Sequence, residues 1–141
     1  MAIRKPPRGV AASVAVYSAS TGSFLMIQRK WDPDKGKWAF PGGYMEVDQE
    51  TLEQAGVREL KEETGVEIAE AQLKLMHVLS DPKRDPRGHV VDVGYFVRFE
   101  KEAPGIGSDE TRTKWITVDV AKRLDFALGH RQMFDEAMKL I

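Results

Sequence analysis

One stretch of the chain is more informative about fold and chemistry than any other: Gly43-Tyr-Met-Glu-Val-Asp-Gln-Glu50-Thr-Leu-Glu-Gln-Ala-Gly-Val-Arg58-Glu-Leu-Lys-Glu-Glu-Thr-Gly-Val66. Its second half predicts a helix over about residues 50–64, because Val57, Leu60 and Thr64 recur at three- and four-residue intervals on one face. Gly65 predicts the end of that helix.

Three glutamates on this predicted helix form the chemical signal. Glu59, Glu62 and Glu63 are related as i, i+3 and i+4, so they project from one side, away from the apolar stripe. Like charges on adjacent turns repel, and a hard divalent cation such as Mg²⁺ would remove that repulsion. The alternative for such a pattern on its own is a solvated, Glu-rich helix face.

The residues around the glutamates distinguish these interpretations. The segment resembles the Nudix box, Gly-x5-Glu-x7-Arg-Glu-U-x-Glu-Glu-x-Gly-U with U an aliphatic residue, and Glu50, the seven residues after it and the run 58–66 match without a gap. The preceding Trp-Ala-Phe-Pro-Gly-Gly43 also resembles the family's lead-in. One departure is that six residues, not five, separate Gly43 from Glu50, which affects the loop contacts, above all those of Glu46.

The resemblance implies a metal site and its chemistry. Glu59, Glu62 and Glu63, with the carbonyl of Gly42, would bind Mg²⁺, for which Mn²⁺ is a possible substitute. Bound Mg²⁺ activates water and neutralises pyrophosphate charge, and a carboxylate takes the proton as a P–O–P linkage is cut. The family hydrolyses a nucleoside diphosphate linked to another moiety.

The base that takes this proton varies within the family. It is either a box glutamate or a carboxylate from a later loop, and Asp109 and Glu110 are the candidates for the second case. The alternative is that both are solvated loop acids.

The resemblance also implies that Arg58 and Glu50 form an ion pair that orients the helix carboxylates. Two plainer interpretations remain open. Arg58 could be an ordinary exposed arginine, and Glu50 could simply favour the positive end of the helix.

The loop from Ser80 to Val90 bears on the substrate. It concentrates Lys83, Arg84, Arg87 and His89 in a chain whose net charge is only -1. Arginine forks suit phosphate oxygens, although an exposed loop with internal Arg–Asp pairs would have the same composition. The run Asp-Pro-Lys-Arg-Asp-Pro-Arg-Gly-His-Val is similar to a segment of ADP-ribose pyrophosphatases, and Arg29–Trp38 resembles the same subgroup.

This second resemblance implies hydrolysis of ADP-ribose to AMP and ribose 5-phosphate. Arg84 or Arg87 would then hold the diphosphate. Arg29 ends a strand near the box and could contact a phosphate, or it could be an ordinary exposed arginine. Trp38 would stack on adenine, with Trp31 and Phe40 as other aromatic candidates and core packing as the ordinary alternative.

Two competing functions stay open. The substrate could be a dinucleotide, a dinucleoside polyphosphate or a damaged nucleotide, because substrate loops and not the box determine it. The domain could instead be non-catalytic and sense ADP-ribose or bind a partner. The intact box acids argue against both non-catalytic forms, and nothing after Val118 is long or basic enough to predict a DNA-binding segment.

Composition limits the class of protein. The length predicts one domain over residues 1–141, and the absence of cysteine excludes disulfides and thiolate chemistry. Because the net charge is near zero, we expect that the protein does not bind nucleic acid. Because the sequence has no long apolar run, we expect that it is neither inserted into a membrane nor exported. We therefore expect a cytoplasmic protein with a small-molecule nucleotide substrate. A homodimer is an inference from the resemblance.

The mixture of strands and helices favours an α/β sandwich with a mixed sheet, and the resemblance implies the α/β/α arrangement of the Nudix fold. A hairpin is expected from strands at 10–17 and 24–28. Further strands are predicted at 73–79, 90–99 and 114–118, and further helices at 120–124 and 130–140.

Overall fold

The computed structural model describes residues 4–101 and 112–141. In chain order the strands are β1 (Gly9–Ser18), β2 (Ser23–Gln28), β3 (Trp38–Ala39), β4 (Gly42–Tyr44), β5 (Lys74–Leu79), β6 (Val90–Phe99) and β7 (Arg112–Thr117). The helices are α1 (Leu52–Thr64), α2 (Val118–Ala121) and α3 (His130–Met138), with a 3-10 turn at Glu70–Gln72. None of the helices in these segments has the length and apolar character needed to cross a bilayer.

The strands form one mixed sheet with β1 at its centre. Their order is β3-β2-β1-β6-β5, and β4 and β7 pair with β1 and β2. β1 and β6 run parallel in register over ten residue pairs, from Gly9 with Val90 to Ser18 with Phe99. β1 and β2 form the predicted antiparallel hairpin. The first half of the chain therefore supplies the centre of the sheet and the second half extends it.

Both faces of the sheet are covered. Alternate residues of β1 point to opposite sides, so Ala15 and Tyr17 join the cluster that contains Phe134 of α3. Val14 and Val16 join a second cluster that contains Leu60 of α1. A strand buried on both faces is apolar without alternation, which explains the Val- and Ala-rich sequence of β1. The predicted α/β/α sandwich is confirmed.

Helix α1 is held at both ends by local interactions. Thr51 caps the N-terminus by accepting from the N–H of Gln54, and the Gln54 side chain accepts from the Thr51 N–H in return. Gly65 ends the helix in the left-handed region at φ 79°, as predicted. The helix therefore starts at Leu52, and Glu50 lies outside it rather than at its first turn, because the capping box fixes Thr51 as the boundary.

The Pro41-Gly42-Gly43 run leads into a further strand. Gly42–Tyr44 form β4, antiparallel to β1, with Gly42 opposite Ser13. A Cβ at Gly42 would lie 2.3 Å from the Ala12 carbonyl oxygen, so only glycine can approach β1 this closely. The other element boundaries agree with prediction to within a few residues; Val118, expected to end β7, begins α2.

Leu60 anchors α1 to the sheet, and its side chain is fully buried. We expect Leu60→Ala to lower the free energy of unfolding by about 2–5 kcal/mol, because it removes apolar contacts and leaves a cavity. Urea denaturation followed by circular dichroism measures this. Lys61→Ala, at a neighbouring exposed position, should change the unfolding free energy by less than about 0.5 kcal/mol; equal losses in the two variants would contradict the assignment of Leu60 to the core.

Candidate functional site

A cavity of about 190 Å³ opens where the N-terminal part of β1, β4 and the 81–89 loop meet. Its lining combines an acidic side, at Glu63, with three guanidinium groups, at Arg29, Arg84 and Arg87. Residues far apart in sequence are therefore brought to one surface by the central sheet.

Arg58 organises the carboxylates of this site. Its guanidinium binds Glu50 twice, with Nη2 at 2.7 Å from Oε1 and Nε at 3.0 Å from Oε2. Nη1 donates to Glu59 at 2.8 Å and to Glu62 at 3.2 Å, and Nη2 also donates to the Tyr44 carbonyl at 3.1 Å. Hydrogen bonding to Arg58 lowers the pKa of Glu50 to about 2. The predicted Arg58–Glu50 ion pair is confirmed, whereas its effect on catalysis stays a prediction.

Glu63 lies deeper than the other two box acids. Burial and the adjacent carboxylate of Glu59 raise its pKa to about 8, although the Gly42 N–H at 3.4 Å opposes the shift. A smaller contribution in the same direction comes from Glu62. Ionised Glu63 is therefore costly in this setting unless a positive charge accompanies it.

The donor chemistry fits a hard divalent cation. Carboxylate oxygens are the ligands that such ions prefer, and Gly43 leaves room for them, since a Cβ there would lie 2.5 Å from the Glu59 carboxyl carbon. Within residues 4–101 and 112–141, however, no three acidic or imidazole groups converge as a complete metal site. Arg58 Nη1 engages both Glu59 and Glu62 in this structure. The assignment of these glutamates and Gly42 as metal ligands stays a prediction.

The extra residue before Glu50 is absorbed in the loop and leaves α1 intact. Residues 47–49 form a turn in which the Gln49 N–H donates to the Glu46 carbonyl at 3.2 Å, and Asp48 adopts φ 65°. The Glu46 N–H donates to the Glu50 carboxylate at 2.9 Å. The loop therefore donates a hydrogen bond to the same Glu50 carboxylate that Arg58 binds.

The Arg84 guanidinium binds two backbone carbonyls, while its buried Nε has no hydrogen-bond partner among the described residues. Its Nη1 donates to the Leu128 carbonyl at 2.7 Å and its Nη2 to the Val90 carbonyl at 3.0 Å. A Cβ at Gly129 would lie 2.8 Å from the Arg84 Cδ, so this glycine makes room for the side chain. The structure thus places Arg84 at the cavity, but its terminal nitrogens hold the 81–89 loop against the turn before α3.

Arg87 and Arg29 have donors to spare. Arg87 donates through Nε and Nη2 to the buried carboxylate of Asp85, at 3.1 and 2.8 Å. These hydrogen bonds lower the pKa of Asp85, and they do not use the Nη1 group of Arg87. Arg29 donates through Nε to the Pro33 carbonyl at 2.8 Å. These two guanidiniums can therefore offer N–H groups to a phosphate without breaking the contacts described.

The aromatic candidates divide between core, cavity and surface. Phe40 is buried and lines the cavity, and Trp38 packs against the core cluster of Phe134 without lining the cavity. Trp31 is 77% exposed. Stacking of Trp38 on adenine stays a prediction. Asp109 and Glu110, the candidate loop bases, lie outside the described residues.

Sequence reasoning missed a buried polar group beside the cavity. Asp92 and His130 are both 4% exposed and lie 3.0 Å apart, and both line the cavity with Ser13. The sequence does contain a signal for Asp92, because it is the one charged residue in the otherwise apolar part of β6 from Val90 to Val97. His130 begins α3, and its position gave no such indication.

The raised pKa of Glu63 predicts a pH-dependent stability when divalent ions are chelated. Below pH 4.5 the carboxyl is protonated in both the folded and the unfolded chain. Between pH 4.5 and about 8 the unfolded chain loses the proton more readily, so stability falls as pH rises through this window. In EDTA, Tm should drop by several degrees more for the wild type than for Glu63→Gln between pH 5 and 8.5. Parallel Tm curves for the two proteins would contradict the raised pKa.

Comparison with known proteins adds a family match. Residues 7–137 match the model of the NUDIX domain. An ADP-ribose pyrophosphatase of Methanocaldococcus jannaschii is 36% identical over 115 residues, and an ADPR-responsive transcriptional repressor of Acinetobacter baylyi is 33% identical over 129. These alignments cover 82% and 88% of this chain, but only 65% and 50% of the two relatives.

A dihydroneopterin triphosphate diphosphatase of Escherichia coli matches over nearly its whole length, with 39% identity over 140 residues, 92% of this chain and 91% of the relative. Among solved structures, a bifunctional NMN adenylyltransferase/ADP ribose pyrophosphatase of Francisella tularensis, complexed with AMP and a Mn ion, superposes with a TM-score of 0.80 at 28% identity. That match covers 99% of this chain and 43% of the Francisella protein.

Proposed function

The chain belongs to the Nudix family, and from this membership we propose that it is a Mg²⁺-dependent hydrolase of ADP-ribose. The bond cut is the P–O–P linkage of a nucleoside diphosphate joined to another moiety. The products are AMP and ribose 5-phosphate, and Mn²⁺ substitutes for Mg²⁺.

The observation that carries the proposal is the composition of one cavity. Its lining places Glu63 of the box, with Gly42 and Gly43, in the same surface as Arg29 and Arg87. A diphosphate needs both a cation held by carboxylates and N–H donors for its remaining oxygens. The 36% identity to an ADP-ribose pyrophosphatase supports the choice of ADP-ribose.

Glu59, Glu62, Glu63 and the Gly42 carbonyl would hold the metal ion. When bound, Mg²⁺ lowers the pKa of coordinated water and offsets negative charge on the pyrophosphate oxygens. Arg58 keeps Glu59 and Glu62 oriented through its Nη1, and Glu50 holds Arg58 in place through two hydrogen bonds. The proton acceptor is either a box glutamate or one of the loop acids Asp109 and Glu110.

The arginines then take different roles. Arg29 and Arg87 contact the diphosphate, because each has guanidinium N–H groups beyond those used on Pro33 and Asp85. Arg84 shapes the cavity by holding the 81–89 loop to Leu128.

Two relatives define the alternatives. The match to a dihydroneopterin triphosphate diphosphatase favours a nucleoside-triphosphate-like substrate as the second candidate. The match to an ADPR-responsive repressor favours ligand sensing without turnover. The intact Arg58–Glu50 pair and box acids favour hydrolysis over sensing.

The substrate is tested with purified protein, Mg²⁺ and a panel of ADP-ribose, dihydroneopterin triphosphate, dinucleotides, dinucleoside polyphosphates and oxidised nucleotides. We expect AMP and ribose 5-phosphate from ADP-ribose, with the highest kcat/KM of the panel. Glu62→Gln should lower kcat by about two orders of magnitude or more, because it removes a ligand charge.

Turnover of another compound alone would refute ADP-ribose and keep the hydrolase. Binding of ADP-ribose without turnover of any compound would support the sensing alternative. A nearly unchanged kcat in Glu62→Gln would refute the metal assignment.

The division of roles among the arginines is tested separately. Arg29→Ala should raise KM for ADP-ribose by about tenfold with little change in Tm, since it loses a charge-assisted hydrogen bond to phosphate. Arg84→Ala should lower Tm by several degrees, because two partly buried carbonyls lose their donor. Lys35→Ala, an exposed charge in the same loop as Arg29, is the control and should change neither. Equal effects of Arg29→Ala and Lys35→Ala on KM would contradict the contact.

A further inference from the structure

A buried hydrogen-bond network connects α3 to the segment that precedes the box. The Phe40 N–H donates to Nδ1 of His130 at 3.1 Å, and Nε2 of His130 lies 3.0 Å from Oδ2 of Asp92. The Ser13 hydroxyl donates to Oδ1 of Asp92 at 2.8 Å. The three residues are all less than 5% exposed. Such a network is stable only when each member is satisfied.

The contacts define the tautomer of His130. A backbone N–H can only donate, so Nδ1 must accept and carries no proton. Nε2 is therefore the protonated nitrogen and donates to Asp92. The ring also lies nearly parallel to that of Phe40, with centroids 6.0 Å apart. His130 is thus held in one orientation by Asp92 and holds the Phe40 backbone in turn.

Both ends of this hydrogen-bond network lie next to residues 40–43. His130 holds the Phe40 amide, and Ser13 lies opposite Gly42 in the β1–β4 pairing. Between them the Pro41 carbonyl accepts from the Val14 N–H at 2.8 Å. These contacts define the position of the Gly42 peptide relative to β1, and the Gly42 N–H in turn meets Glu63 at 3.4 Å.

We propose that Asp92 and His130 are a positioning pair for the metal site, acting through the Phe40 N–H on the Gly42 carbonyl. The pair is distant from the box in sequence and donates nothing to the substrate. The pair holds the Gly42 carbonyl, the proposed backbone ligand, in the position where it can bind the metal ion together with the glutamates of α1. This step rests on the proposed metal-dependent function, in that Gly42 must be a ligand.

The ordinary alternative is a satisfied core histidine whose loss lowers stability alone. Two near-isosteric substitutions separate the interpretations. The amide nitrogen of glutamine can occupy the place of Nε2, so His130→Gln keeps the donor to Asp92 and loses the acceptor for Phe40. The amide oxygen of asparagine can occupy the place of Nδ1, so His130→Asn keeps the Phe40 bond and loses the one to Asp92. Each variant leaves one buried polar group without its partner, so both should lower Tm.

The first measurement is Mn²⁺ affinity, read from the electron paramagnetic resonance signal of free Mn²⁺ during titration of each protein. We expect His130→Gln to bind Mn²⁺ about ten to a hundred times more weakly, the range typical of residues that orient ligands. His130→Asn should retain most of the affinity. With ADP-ribose and Mg²⁺, the loss in His130→Gln should appear in kcat and not in KM. His77→Gln, on β5, serves as the histidine control.

If both variants bind Mn²⁺ as tightly as the wild type while their Tm is reduced, the proposal is overturned and His130 has only a structural role. Equal losses of affinity in both would overturn the route through Phe40. If either variant fails to fold, the wild type supplies the test by nitrogen-15 NMR. The proposal then requires Nε2 to carry the proton and both the His130 ring and the Phe40 amide to shift on addition of Mg²⁺, and signals that do not shift would refute it.

Failure of the proposed function is distinguishable from failure of the positioning pair. If ADP-ribose is not cleaved but His130→Gln still loses Mn²⁺ affinity selectively, the substrate assignment fails and the pair stands. If ADP-ribose is cleaved and His130→Gln retains Mn²⁺ affinity and kcat, the pair fails and the hydrolase stands.

Discussion

The rest of this site is arranged to offset the repulsion among carboxylates on one helix. Glu59, Glu62 and Glu63 lie within two turns of α1, where like charges destabilise a helix. Arg58 offsets this repulsion at the rim by binding two of them, and Glu50 holds Arg58 on its other side. The deepest acid is left with a pKa of about 8, which a bound cation would lower.

The backbone around the acids is organised to let them come close. Gly42 lies flush against β1 and Gly43 against the Glu59 carboxylate, at distances that a side chain would prevent. The capping box at Thr51 and the left-handed Gly65 define where α1 starts and ends, while buried Leu60 ties it to the sheet. Local geometry and core packing thus place charged groups that would not assemble on their own.

Arginine chemistry at the cavity shows why composition is an incomplete guide to binding. The composition of the 81–89 loop is compatible with phosphate binding by both arginines, but in the structure Arg84 also binds the Leu128 and Val90 carbonyls and Arg87 also binds Asp85. Asp85 is in the same loop, so the Arg–Asp pair was an open alternative from sequence. The carbonyl of Leu128 is 44 residues from Arg84, and no local pattern encodes that contact.

The sequence by itself determined the box helix, its acids and a mixed α/β sheet, because these depend on periodicity and spacing within short segments, and the resemblance to the Nudix box implied the Arg58–Glu50 pair. Only the tertiary structure decided which groups each arginine binds, that Gly42 forms a strand on β1, and that Asp92 and His130 meet beside the cavity. Those two residues are 38 apart and come together through the packing of α3 against the sheet. Such contacts are properties of the folded chain, since burial and not sequence spacing determines which polar groups must satisfy each other.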